Sequence, residues 1–96
     1  MKYTIRPSEN ARGWMEKTIY TREYEAVVRL LRATRKTAGV TQVQLAERLG
    51  LTQSLVSKME RGDRRLDIIE VRTVCRAIGI SFSEFVNQLE RKLTRR

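Results

Sequence analysis

From residue 24 onward, apolar side chains recur at three-, four- and seven-residue spacings in short blocks, and each block but the last is closed by a glycine. The first block predicts a helix over about residues 24–38, with Val27, Leu30, Leu31 and Ala38 on one face and Arg29, Arg32 and Lys36 elsewhere. Thr34 interrupts its apolar stripe and Gly39 ends it. Thr41 can cap a second helix, with Gln44 three residues on completing a capping box, Leu45 and Leu49 facing inward and Gly50 as the stop. Thr52 caps a third helix over 53–60, whose apolar positions are Leu55, Val56 and Met59 and whose terminator is Gly62. After the charged loop Asp63, Arg64 and Arg65, Asp67 caps a fourth helix with Ile68, Val71, Val74, Cys75 and Ile78 on its buried side and Gly79 at its end. Ser81 and Glu84 form another box, opening a fifth helix over about 82–93 with Phe82, Phe85, Val86 and Leu89 at helical spacing. The expectation is an all-α domain over residues 24–96, preceded by an arm over residues 1–23.

The arm follows a different rule. Tyr3 and Ile5 alternate with Lys2, Thr4 and Arg6, the period-two signal of a half-buried strand, and residues 7–13 are rich in turn formers. With a second β-leaning stretch over 15–21, the arm is read as a small β-hairpin. Such a hairpin is marginal alone and would have to pack Trp14, Tyr3 and Ile19 on the helical body or on a second subunit.

Composition narrows the chemistry. Ninety-six residues make one domain, and 20 Lys and Arg against 11 Asp and Glu leave a formal charge of +9, so the expected partner is anionic. There is no His and one Cys, which leaves no internal disulfide, no Cys/His zinc site and no His-dependent nucleophile relay. No cofactor, metal or small-molecule substrate is expected, and the chain is read as a non-enzyme. Cys75, alone on an apolar helix face, reads as core. With no apolar run of bilayer length and no secretory start, the expected location is cytoplasmic, associated with the nucleoid.

The segment that decides between partners is residues 42–61, QVQLAERLGLTQSLVSKMER. Two helices joined by so short a turn must cross steeply. That demands a small residue where they crowd, supplied by Ala46, and one free to take positive φ in the turn, supplied by Gly50. It also demands apolar inward positions, filled by Leu45, Leu49, Leu51, Val56 and Met59, which leaves Gln53, Ser54, Ser57 and Lys58 outward on the third helix. This is the pattern of a helix-turn-helix. Residues 24–66 hold nine basic and four acidic residues, so five of the nine excess charges sit around that face.

Over about residues 24–93 the chain resembles the phage repressor and Cro, or xenobiotic-response-element (XRE), family of DNA-binding domains. The resemblance is carried by the twenty-residue window, by the run from Gln53 to Gly62 followed by Arg64, Arg65, Leu66 and Asp67, and by one helix before and two after. It implies a compact five-helix bundle of the lambda-repressor-like type. It further implies base reading by Gln53, Ser54, Ser57 and Lys58, since Gln can bond an adenine edge and Lys a guanine edge. Phosphate contacts fall to Gln42 and Thr52 at the two helix starts and to Arg61, Arg64 and Arg65. The resemblance also pairs Arg35 with Glu60 as a structural ion pair.

The function so implied is a sequence-specific double-stranded DNA-binding regulator, a repressor acting as a homodimer on a pseudo-palindromic operator. Phe85, Leu89 and Leu93 are the candidate dimer contacts. Two other roles fit the same residues: an antitoxin that binds a toxin through the arm or the last helix while repressing its own operon, and a restriction-modification controller protein. RNA polymerase is a further candidate protein partner.

Overall fold

Caps and glycines divide the described residues into five helices: α1 Arg22–Thr37, α2 Gln42–Leu49, α3 Gln53–Glu60, α4 Ile68–Ile78 and α5 Phe82–Leu93. The computed structural model describes residues 22–94, and no strand occurs among them. The hairpin expected over the arm lies outside the described residues. α1 takes in Arg22 and Glu23, which the apolar pattern assigns to the arm; Glu23 and Glu25 then stand in the first turn, where carboxylates suit the helix dipole.

α1 is the support of the molecule, packing against α3, α4 and α5, while α2 packs against α3 and α4. Its buried line is Tyr24, Val28, Leu31 and Arg35, with Leu30 beside it. Ala38, expected on this stripe, is exposed in the turn that follows, because the helix ends at Thr37 and Arg35 takes the last inward position. The core closes around Leu45, Val56, Cys75 and Phe85, each no more than 1% exposed. Burial pushes the Cys75 thiol up to about 11.

Several positions differ from the pattern for reasons of helix length and competition. Leu55 is 40% exposed, because the eight-residue α3 buries a single stripe, Val56 and Met59, and Leu51, 39% exposed, lies in the turn before that helix. Ile68 is 67% exposed, since burial on α4 starts one turn later, at Val71. At α5 only half of the expected capping box forms: Ser81 Oγ accepts from the Glu84 N–H at 3.1 Å, but the Glu84 carboxylate accepts from Gln88 instead. The complete boxes are Thr41 with Gln44 and Asp67 with Glu70.

The assignment of Phe85 to a dimer contact is corrected. Its ring is 1% exposed and belongs to the core, so it presents no surface to a second copy. Leu89 and Leu93 on the same helix are partly buried, and Leu89 packs against the core.

Candidate nucleic-acid interface

The α2–α3 junction is built by local demands. Thr41 Oγ1 accepts from the Gln44 N–H at 3.0 Å while Gln44 Oε1 accepts from the Thr41 N–H at 2.9 Å, which starts α2 at one residue. Gly50 then adopts φ 70°, ψ 29°, and the Leu51 N–H reaches back to the Ala46 carbonyl at 2.9 Å. A Cβ at Gly50 would meet nothing within 4 Å, so glycine is needed there for its backbone and not for space. Thr52 turns the chain into α3, its hydroxyl accepting from the Leu55 N–H at 3.2 Å. Leu45, Ala46 and Val56, all buried, are the packing surface between the two helices.

The fold leaves Gln53, Ser54 and Lys58 exposed and Ser57 half-buried along the outer side of α3. Arg35 and Glu60 form a bidentate pair beneath that helix: Arg35 Nε donates to Glu60 Oε2 at 2.6 Å and Nη2 to Oε1 at 2.9 Å. Their side chains are only 7% and 5% exposed. The third guanidinium nitrogen, Nη1, donates to the Val40 carbonyl at 2.8 Å, so the buried charge is fully partnered. Burial would raise the Glu60 carboxyl, but hydrogen bonds from Arg35 and Gln42 and the charges of Arg35 and Arg32 outweigh it and hold the group below its ordinary value.

Gln42 carries this network to the outer face. Its Nε2 donates to Glu60 Oε1 at 3.0 Å, and its Oε1 accepts from Gln53 Nε2 at 3.4 Å. The first side chain of α3 is thus tied, through α2, to the last side chain of α3 and to α1.

The arginines after α3 are also held. Arg61 Nη1 donates to Ser57 Oγ at 2.7 Å and its Nε to Asp63 at 3.1 Å, so it lies back along α3. Arg64 Nη2 donates to Glu70 Oε2 at 2.8 Å, while Arg65 is exposed. Thr52 is exposed at the start of α3 and Gln42 half-buried at the start of α2. Sequence reasoning missed Tyr24, whose hydroxyl donates to the Arg64 carbonyl and accepts from the Leu66 N–H, both at 2.9 Å. The available signal was a tyrosine on an otherwise aliphatic face, whose buried hydroxyl needs a partner.

Two short helices crossing at a tight turn, with a polar outer face on the second and arginines at its exit, define a helix-turn-helix DNA-binding domain. Comparison with known proteins agrees: the model of the helix-turn-helix family matches residues 31–85. An XRE-family like protein from Pseudomonas syringae pv. tomato superposes with a TM-score of 0.72 at 44% identity, over 90% of this chain and 99% of that one. The chain belongs to the XRE-type helix-turn-helix family of DNA-binding regulators. It is also 38% identical over 50 residues to an uncharacterized HTH-type transcriptional regulator of Methanothermobacter thermautotrophicus, spanning 52% of this chain and 72% of that protein. A mutant of the restriction-modification controller protein C.Esp1396I superposes with a TM-score of 0.72 over 78% of this chain and 97% of that one; at 23% identity this shows the shared fold alone. No helix among the described residues is long and apolar enough to cross a membrane.

Proposed function

We propose that the chain is a sequence-specific repressor that binds double-stranded DNA as a homodimer. The observation that carries this reading is the outer side of α3, where short polar side chains stand on a helix held by a buried, fully partnered ion pair. A merely solvated face has no use for such fixation. Gln53 and Ser54, in the first turn of α3, and Ser57 and Lys58, one turn on, read base edges in the major groove. Gln42 and Thr52 meet the phosphates flanking the groove, and Arg61, Arg64 and Arg65 meet the backbone beyond α3, each exchanging an internal partner for a phosphate oxygen where it has one.

A single copy presents one short reading helix, so affinity and selectivity call for two copies on half-sites about one helical turn, ~34 Å, apart. Leu89 and Leu93, partly open on α5, together with the 41% exposed Val86, supply apolar surface for that pairing. Selection of bound duplexes from a random pool tests the reading. A recovered pseudo-palindrome supports it, and a featureless pool overturns it.

A further inference from the structure

The loop that presents Arg64 and Arg65 has little to hold it. Among the described residues, the backbone bonds outside the helices step from the Asp63 N–H, which reaches the Lys58 carbonyl, to the Val71 N–H, which reaches the Asp67 carbonyl; Arg64, Arg65 and Leu66 make none. The Leu66 side chain is buried, 7% exposed, and its N–H is buried with it. A buried amide without a partner is costly, so something outside the loop must supply one.

That group is a side chain some forty residues earlier. Tyr24, in the first turn of α1 and itself 9% exposed, places its hydroxyl between the Arg64 carbonyl and the Leu66 N–H. As donor to one and acceptor from the other, it closes the loop much as a strand neighbour would. The bridged segment has Arg65 at its centre. From the other side, Glu70 holds the Arg64 guanidinium through Oε2 and caps α4 at the Asp67 N–H through Oε1. The Glu70 contact is one that a phosphate can replace, because it is an exposed ion pair; the Tyr24 contact is to backbone and persists when the arginine side chains turn to DNA.

We propose that Tyr24 is a positioning residue for DNA binding, its hydroxyl setting the Arg64 and Arg65 backbone so that both guanidinium groups reach the phosphates beyond α3. This rests on the phosphate role given to those arginines above. Tyr24 acts through them and touches no DNA itself. Its effect is therefore on affinity for any duplex and on salt dependence, and not on the choice of bases.

Tyr24→Phe keeps the packed ring and removes the hydroxyl, and with it the bridge. In the full chain, with a labelled duplex of mixed sequence, the variant should bind about three- to ten-fold more weakly, the worth of a hydrogen bond or so. Its slope of log K against log salt should be shallower by up to about 0.9 for each phosphate that the arginines no longer neutralise. In a background carrying Arg64→Ala and Arg65→Ala, the same Tyr24→Phe change should have no further effect on affinity. An equal loss in both backgrounds would reduce Tyr24 to a general stabiliser and overturn the proposal, as would unchanged affinity in the parent. The arginine variants alone test the phosphate reading: if their affinity and slope match the parent, that reading fails and this step with it. Amide exchange in the parent protein checks the bridge without any variant. The Leu66 N–H should be protected, and exchange at the rate of an open loop amide would overturn the assignment.

Discussion

Arg35, on the last turn of α1, and Glu60, the last residue of α3, meet through two charge-assisted hydrogen bonds of 2.6 and 2.9 Å. The pair ties the end of α3 to its support, α1. Because both groups are buried, its net worth against an apolar pair is modest, but the cost of breaking one side is not.

Replacing Glu60 by Gln keeps the volume and strands the Arg35 charge in the core. The expected loss is roughly 3 to 5 kcal/mol of folding free energy, read as a lower denaturant midpoint. A loss below about 1 kcal/mol would mean that water reaches the site and the pair acts as a surface one.

The depressed Glu60 carboxyl gives stability a definite acid dependence. An acid whose folded value lies below its unfolded one binds more protons when unfolded, so its contribution is fully present above the ordinary value of 4.5 and fades as pH falls through the lower folded value. Stability should therefore hold from neutral pH down to about 4.5 and then drop, with a shallower drop in Glu60→Gln. Equal acid slopes in the two proteins would assign the effect to other carboxylates.

At Gly50 the demand is on φ alone. Gly50→Ala, forced into the left-handed region with no clash to relieve, should cost about 1 to 2 kcal/mol, and Gly50→Asn clearly less. If Ala and Asn cost the same, the turn has relaxed and its backbone does not impose the crossing.

Base reading and phosphate contact separate by their signatures on DNA. Gln53→Ala should lower the preference for a selected site by ~1 to 3 kcal/mol and leave the salt slope unchanged. Arg65→Ala should weaken all duplexes alike and flatten the slope by about 0.9. Swapped signatures would reverse the two assignments.

Most of the helix boundaries were legible because they are local decisions. Thr41, Thr52, Asp67 and Ser81 cap the helices that follow them, and Gly50 and Gly79 take positive φ at the ends of α2 and α4, all within a few residues of chain. The helix-turn-helix was legible for the same reason, since Ala46, Gly50 and Val56 answer steric needs inside one twenty-residue window. Burial at the margins was less so. Ile68, Leu51 and Leu55 are apolar and correctly spaced, yet whether such a residue meets a neighbour depends on where a partner helix begins and ends. Phe85 shows the converse: an aromatic ring near the chain end looks available for a second copy until the packing of α5 on α1 and α4 encloses it.

By itself, then, the sequence determined five helices, the steep α2–α3 turn, the polar side of α3 and the excess of positive charge around it, all consequences of periodicity, caps and composition. The Arg35–Glu60 pair is expected only through the family resemblance, and the structure contains it. Only the tertiary structure decided what joins that pair to the outer side of α3: it linked Gln53 through Gln42 to Glu60, and it brought the Tyr24 hydroxyl to a loop forty residues away. Hydrogen bonds between distant side chains leave no period in a sequence. They form because a buried polar group must find a partner among whatever neighbours the packed helices supply.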